Sequence, residues 1–265
     1  MKILTLMDNV AYKKGIRAEH GFSALIDTGT AKVLFDAGQT DGILANAEIL
    51  KEDLSAVDAV VLSHGHYDHT GGLSAFCRIN STARIYCKSA CLLPKFIGER
   101  YIGIPEDTKK FRSRFFFVET SMEIVPGVRV EPEIPIRNEG DTHFRNFTIR
   151  EEGGTRPDLF EDELYLTVRT PGGLVVVSGC SHRGITNIAA AAREKAREQI
   201  RLVLGGFHVR EETPEAIVRI VRELDRIGVE RLGVSHCTGV EGYAVIKGTR
   251  PDGVFYNYAG NAVEL

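Results

Sequence analysis

The chain has 265 residues and a formal net charge of −3, with 43% hydrophobic and 26% charged residues, a balance that is ordinary for a globular protein with its own apolar core. General nucleic-acid binders are usually basic, so nucleic acid is disfavoured as a partner. No stretch approaches the roughly 20 apolar residues of a membrane helix, which disfavours a membrane partner too.

Short apolar runs predict strands through the first two thirds of the chain. The predicted strands cover residues 3–7, 22–27, 32–36, 58–62, 84–87, 115–119, 128–133 and 164–170. A helix is predicted over 42–50, where Ile43, Ala47 and Leu50 recur at helical spacing. The polar tract 137–158 is interpreted as a long surface loop, a feature that is often functional.

Strands and helices alternate in the C-terminal third. Strands are predicted at 174–178, 201–204, 231–234 and 254–258, and helices at about 185–199 and from Thr213-Pro214 to Gly228. Strands followed by strand–helix units predict two sheets packed face to face with helices outside. We therefore expect an α/β fold, a four-layer α/β/β/α sandwich, as one domain over residues 1–265, because no change in composition marks a linker.

The segment His64-Gly65-His66-Tyr67-Asp68-His69 follows the predicted strand 58–62. A tight loop leaving a strand can direct His64 and His66 to one side, with Asp68 and His69 at a second position nearby. Imidazole is the commonest protein ligand for zinc. Two neighbouring ions acidify water and stabilise negative charge on oxygen. Three histidines and an aspartate in six residues argue against the alternative, a histidine-rich surface loop.

This motif resembles the His-x-His-x-Asp-His signature of the metallo-β-lactamase superfamily. Leu34-Phe35-Asp36-Ala37-Gly38 resembles the first motif of the same superfamily. The resemblance implies a sandwich of the metallo-β-lactamase type, with Asp36 supporting the metal loop; a plain strand-ending turn is the alternative. It also implies that His236 completes the second metal position with Asp68 and His69.

The sequence departs from the superfamily pattern at Cys180, in Gly179-Cys180-Ser181-His182. The superfamily usually has an aspartate there that bridges the metals. A cysteine thiolate can bind borderline ions, and His182 is the alternative donor. We favour His182 as the ligand, with Cys180 lining the site, bridging the metals, or packing as a small buried residue.

Three further histidines are assigned by weaker arguments. His208 is interpreted as a ligand, an acid–base group or a substrate contact, with a structural role as the alternative. His143 is a less favoured ligand, and His20 is expected to be structural or at the pocket edge. The predicted catalytic residues are Asp68 and His208. The predicted metal ligands are His64, His66, Asp68, His69, His182 and His236.

The other polar residues and two cysteines are assigned to the solvated surface or to the core. A basic stretch is interpreted as a solvated face, with phosphate binding as the alternative; it comprises Lys95, Arg100, Lys109, Lys110, Arg112 and Arg114. The run 160–163 is expected to be a solvated turn, with a carboxylate directed to the pocket as the alternative, and Cys87 and Cys91 are expected in the core. Five cysteines without paired spacing, and no signal-peptide layout, favour a reducing, cytoplasmic location.

A narrower resemblance rests on several segments together. They are residues 19–23, 64–72, 179–185, 205–208 and 236–239. They are similar to proteins named 7,8-dihydropterin-6-yl-methyl-4-(β-D-ribofuranosyl)aminobenzene 5′-phosphate synthase. That resemblance implies transfer of a dihydropterin-methyl group from a diphosphate ester to an aromatic amine.

Three functional hypotheses follow. The first is a hydrolase with two divalent ions acting on a small, phosphate-bearing substrate. The second is the pterin transferase. The third is a non-hydrolytic role, either a metal sensor or a di-iron redox centre, although the chain has no room for an added flavin domain. Zinc is the favoured metal, with manganese or iron as alternatives. The sequence leaves the oligomeric state open.

Overall fold

The computed structural model describes residues 1–265. The strands, in chain order, are β1 (Lys2–Met7), β2 (Ser23–Asp27), β3 (Lys32–Phe35), β4 (Ala59–Val61), β5 (Arg84–Cys87), β6 (Lys95–Ile97), β7 (Arg100–Tyr101), β8 (Phe115–Phe117), β9 (Met122–Val125), β10 (Val128–Glu131), β11 (Phe147–Glu151), β12 (Gly154–Pro157), β13 (Tyr165–Thr170), β14 (Gly173–Ser178), β15 (Ile200–Gly206), β16 (Leu232–Ser235), β17 (Val254–Tyr256) and β18 (Ala262–Glu264). The α-helices are α1 (Gly42–Leu50), α2 (Tyr67–Thr70), α3 (Leu73–Ile79), α4 (Ile185–Ala196), α5 (Pro214–Ile227) and α6 (Gly239–Thr249).

Two seven-stranded sheets form the centre of the molecule. Their strand orders are β18-β1-β2-β3-β4-β5-β8 and β17-β16-β15-β14-β13-β10-β9. In the first sheet β3, β4, β5 and β8 are parallel, and in the second β14 to β17 are parallel. Parallel neighbours end at one edge of a sheet, so the loops that leave them lie side by side.

Three apolar cores separate four layers, as predicted. Within β14, Val175 and Val177 join a core shared by both sheets, whereas Leu174 and Val176 join the core formed with α4 and α5. A third core lies between the first sheet and the helices α1 and α3. Side chains alternate between the two faces of a strand. The apolar runs of these central strands therefore supply two cores at once.

Local signals predicted α1, α4 and α5, although not α6. The observed α1 has the predicted limits. In α5 the Thr213 hydroxyl accepts a hydrogen bond from the Ala216 amide at 3.3 Å, and Gly228 ends the helix at φ 86°. Helix α4 ends at Ala196 rather than near 199, because Arg197 adopts a left-handed conformation and β15 starts at Ile200. None of the helices combines the length and the hydrophobicity that a membrane-spanning segment requires.

The interpretation of 137–158 as one long loop is wrong. The tract contains β11 and β12, which pair with β6 and β7 in a small four-stranded antiparallel sheet, in the order β12-β11-β6-β7. Only Ile149 of β11 is fully buried, so the sequence shows little apolar alternation. The pairing with β6 joins segments about fifty residues apart and is therefore invisible to local pattern.

Candidate metal centre

The predicted site residues meet where strands of both large sheets end. Asp36 directly follows β3, and the metal loop (residues 64–69) follows β4. His182, His208 and His236 come shortly after β14, β15 and β16. The architecture thus brings together loops that are up to two hundred residues apart in the sequence.

Three buried imidazoles form the His trio (His64, His66 and His182). One potential ligand atom from each lies within 4.8 Å of the others. The Nε2 atoms of all three are buried and have no hydrogen-bond partner. A buried polar atom without a partner costs about 1–3 kcal/mol. Binding a metal ion removes that cost, so the His trio fits a metal position.

A second set, the mixed group, consists of Asp68, His69, Cys180 and His236, with ligand atoms that also lie within 4.8 Å of one another. His69 Nε2 is 3.1 Å from Cys180 Sγ and 3.2 Å from His236 Nε2. His236 Nε2 is 3.3 Å from Asp68 Oδ2. The two sets are adjacent, because the rings of His64 and His69 have centroids 4.3 Å apart.

Asp36 lies beneath the metal loop and orients it. Its Oδ1 accepts a hydrogen bond from the Ser63 amide at 2.7 Å, and its Oδ2 accepts one from Ser63 Oγ at 2.7 Å. His69 Nδ1 is 2.6 Å from Asp36 Oδ2. Ser63 Oγ is also 2.9 Å from His64 Nδ1. Because these contacts occupy the Nδ1 side of both rings, Nε2 is left to face the site.

Sequence reasoning missed the residues that orient His236. Asp8 Oδ1 accepts a hydrogen bond from the His236 amide at 2.6 Å, and Asn9 Oδ1 lies 2.8 Å from His236 Nδ1. The sequence did contain a signal for them, because Asp8 and Asn9 directly follow the apolar strand β1, just as Asp36 directly follows β3.

His208 lies at the edge of both sets. Its ring centroid is 4.2 Å from that of His182, and its Nδ1 is buried without a partner. One of its nitrogens also groups with the sulfurs of Cys180 and Cys237 within 4.8 Å. This placement is compatible with each of the functional roles considered for His208.

His143 and His20 belong to neither set. The ring nitrogens of His143 lie 3.5 Å from carboxylate oxygens of Asp141 and Glu212. His20 is half-exposed, and its Nε2 is 3.2 Å from Asp68 Oδ2. His20 is therefore adjacent to the mixed group without belonging to it.

Unusual backbone conformations concentrate at the site. Non-glycine residues seldom adopt positive φ, because the conformation is strained. Eight do so in this chain, and five of them belong to the site or lie directly beside it. These five are Asp36, Phe160, Ser181, His208 and His236, with φ between 50° and 60°. The fold thus holds strained backbone where side chains must be directed inward.

Two expectations about charged residues are wrong. Lys95 is not on a solvated face but is 1% exposed, and its Nζ bonds to Asp158 and Asp162. The run 160–163 is not a solvated turn, because Phe160, Asp162 and Glu163 are all buried. Glu163 accepts hydrogen bonds from the amides of residues 182 and 183. These charged residues can be buried because they bond to residues that are distant in the sequence, and the local sequence does not reveal such partners.

The rest of the basic stretch is solvated except for Arg114, which is half-buried and donates hydrogen bonds to the carbonyl oxygens of Asn80 and Ala83. The assignment of the cysteines agrees with the structure. The side chains of Lys109 and Lys110 are 61% and 53% exposed. Cys87 and Cys91 are fully buried in the core between the first sheet and its helices.

Burial keeps most of the site imidazoles neutral. It lowers the pKa of each member of the His trio well below the ordinary value, and neighbouring histidines lower it further. Burial also lowers the pKa of His208 to about 3 and that of His236 to about 4. Burial would raise the pKa of Asp68, but the charge of His69 and hydrogen bonds from neighbouring histidines outweigh it and lower the pKa. Neutral imidazoles and an ionised carboxylate are the forms that bind metals.

These shifts predict how the metal-free protein responds to acid. Between the lowered folded-state pKa values and the unfolded value near 6.5, the unfolded chain binds more protons, so stability falls as the pH is lowered. Each such histidine contributes a slope of up to about 1.4 kcal/mol per pH unit. His69 opposes this trend, because Asp36 and Asp68 raise its pKa despite burial. We expect the urea midpoint of chelator-treated protein to drop between about pH 7.5 and about pH 5.5. An unchanged midpoint would contradict the burial of neutral imidazoles.

The fold and the arrangement of ligand residues define a metallo-β-lactamase-type protein, and the chain belongs to the metallo-beta-lactamase superfamily, whose sequence profile matches residues 16–177. A solved structure described as a metal-dependent hydrolase of the beta-lactamase superfamily is 36% identical to the chain. It superposes with a TM-score of 0.89 over 100% of this chain and 99% of that chain.

Two relatives come from Methanocaldococcus jannaschii. An uncharacterized protein is 31% identical over 269 residues, which span 99% of this chain and 100% of the relative. A second, named 7,8-dihydropterin-6-methyl-4-(beta-D-ribofuranosyl)-aminobenzene-5'-phosphate synthase, is 31% identical over 259 residues, 90% of this chain and 88% of the relative. The superfamily resemblance of the sequence motifs is thereby confirmed.

Proposed function

We propose that the protein is a metal-dependent enzyme with two divalent ions that hydrolyses, or transfers a group from, a small phosphate-bearing substrate. The observation that carries the proposal is the pair of adjacent donor sets, one of which has three buried Nε2 atoms without partners. Bound there, two ions would activate water and neutralise charge developing on oxygen. Imidazole, carboxylate and thiol donors together suit zinc, with manganese or iron as alternatives.

The residues of the chain have distinct parts in this proposal. The His trio would hold one ion with neutral imidazoles, and the mixed group would hold the other with the charge of Asp68 and with Cys180. Burial raises the pKa of the Cys180 thiol, so a bound ion would have to displace its proton. His208 is neutral and has an unpartnered Nδ1, so it can accept a hydrogen bond from a substrate. Because both halves of the chain supply ligands, we propose that residues 1–265 act as one domain.

The pterin transferase is the second candidate, and one observation favours it. Phe147 lies beside the imidazoles, with its ring centroid 5.3 Å from that of His66 and 5.1 Å from that of His182. An aromatic wall next to the donor sets suits a planar substrate group, because aromatic rings pack favourably at such distances. The name of the second relative from Methanocaldococcus jannaschii agrees with this candidate.

Elemental analysis coupled to an activity panel tests the proposal. The panel contains phosphodiesters, phosphomonoesters, thioesters, lactones, and dihydropterin-methyl diphosphate with an aryl amine. Two ions per chain with turnover of a phosphate ester supports the hydrolase, and turnover of the pterin pair alone supports the transferase. Two ions without any turnover would favour a sensor. Absence of metal under metal-replete conditions would refute the proposal.

Replacing Cys180 by serine tests the thiolate contribution. A hydroxyl is a poorer ligand than a thiolate for zinc and cadmium. We therefore expect Cys180→Ser to retain its fold and the ion of the His trio, but to bind the second ion about 10-fold or more weakly. Competition with a zinc chelator measures this change. Unchanged affinity for both ions would show that Cys180 only packs. Cys91→Ser, another buried thiol outside both donor sets, is the matched control.

A further inference from the structure

A buried cation lies next to the metal loop and has no part in the chemistry proposed above. Lys95 Nζ donates to Asp158 Oδ2 at 2.5 Å and to Asp162 Oδ1 at 2.9 Å, and all three side chains are at most 1% exposed. The desolvation of buried charges often cancels the benefit of pairing them. Stability alone is therefore a weak reason for this Lys95 cluster (Lys95, Asp158 and Asp162).

One arm of the Lys95 cluster reaches the metal loop. Asp162 Oδ2 accepts a hydrogen bond from the Gly65 amide at 2.8 Å, between the two first histidines of the loop. Gly65 has no space for a side chain, since a Cβ there would lie 2.1 Å from the carbonyl oxygen of Cys91. The backbone that carries His64 and His66 is thus fixed by a charged acceptor and by close packing.

The other arm reaches the third member of the His trio. Asp158 Oδ1 accepts a hydrogen bond from the Phe160 amide at 2.8 Å, where Phe160 has a φ of 50°. The Phe160 ring stacks on His182, with centroids 3.7 Å apart and planes 12° apart. The same ring lies edge-on to His66 at 5.2 Å, and Lys95 Nζ is 5.1 Å from its centroid. Phe160 therefore joins the buried cation to two imidazoles.

We propose that Lys95 is a positioning residue for the metal held by the His trio, acting through Asp162 on Gly65 and through Asp158 and Phe160 on His182. This inference depends on the proposed metal-binding function.

Lys95→Met tests the proposal, because it keeps much of the length of the side chain and removes the ammonium. We expect the affinity for one zinc ion to fall about 10- to 100-fold, the usual result of removing a group that supports a metal ligand. The second ion should keep its wild-type affinity. Stepwise transfer of zinc to a chelating dye resolves the two affinities. The visible spectrum of the Co²⁺-substituted protein should also change, because the imidazoles move relative to the ion.

Further variants separate positioning from general stabilisation. Asp162→Asn and Phe160→Leu each disturb one of the two connections between Lys95 and the His trio, and they replace Lys95→Met if that variant folds poorly. Both should lower the affinity for the same zinc ion. Lys195→Met is the matched control, because Lys195 pairs at 2.8 Å with the buried Glu131, between α4 and β10. This control should lower the denaturation temperature without changing either zinc affinity or the Co²⁺ spectrum.

If the Lys95 and Phe160 variants lost stability but kept both zinc affinities and the Co²⁺ spectrum, the positioning role would be overturned. The proposed function fails by a different result: His66→Ala with as much bound metal as the wild type. The two failures are therefore distinguishable in one series of titrations.

Discussion

His66→Ala is expected to lose at least one bound ion and to lower activity by at least about 100-fold while the fold stays intact. His66 supplies one of the three unpartnered Nε2 atoms of the His trio, and the two imidazoles that would remain make a poor zinc position. The substitution also removes a buried polar atom that lacks a partner, so the metal-free protein should not be greatly destabilised. Elemental analysis after gel filtration, with far-ultraviolet circular dichroism, measures both effects.

His143→Ala is the control for this experiment. His143 is also a buried histidine, but neither of its ring nitrogens belongs to a donor set, and each lies 3.5 Å from a carboxylate oxygen of Asp141 or Glu212. It should retain two ions per chain. Wild-type metal content in His66→Ala would mean that the metal position has been assigned to the wrong residues.

Asp36→Ala should combine the largest loss of stability with weakened metal binding. The substitution leaves the Ser63 amide and hydroxyl and His69 Nδ1 without their acceptor in a fully buried place. Breaking a buried charged network of this kind costs about 3–5 kcal/mol. Alanine also tolerates the φ of 58° poorly. Urea unfolding of the metal-free protein, together with zinc competition, should show the loss of stability and a fall in affinity of about 10- to 100-fold.

Asp36→Asn is the matched variant, because asparagine has the same shape and tolerates positive φ. It can still accept the Ser63 amide hydrogen bond but has no charge opposite His69. We expect an intermediate loss of stability and a clear loss of zinc affinity. Equal stability of Asp36→Ala and the wild type would contradict the role of Asp36 as the acceptor that organises the metal loop.

Much of the architecture is readable from short stretches of sequence. Helix α1 follows from apolar spacing, and α5 from a threonine cap, a proline at its first position and a glycine at its end. Helix α6 was missed, because Gly239, Gly242 and Gly248 give it a composition that is typical of loops. The metal loop was readable because several potential ligands are concentrated directly after an apolar strand.

The partners of the site residues depend on the tertiary fold. Asp8 and Asn9 meet His236 across more than two hundred residues, and Lys95 meets Asp158 and Asp162 across more than sixty. Sequence reasoning placed Lys95 and the run 160–163 in solvent, since isolated charged residues are normally exposed. A charged side chain can be buried when the fold brings a compensating partner to it, and here those partners come from a distant segment of the chain.

The sequence by itself determined the helices with regular apolar spacing, the strands of the central sheets except the edge strands β9 and β18, and the histidine-rich segment after β4, because each is encoded by neighbouring residues. Only the tertiary structure decided that the small sheet exists, that the Lys95 cluster lies next to the metal loop, and which acceptors orient the imidazoles. Strand pairing and charge burial are properties of contacts between distant segments. Their free energy depends on partners that no local pattern specifies.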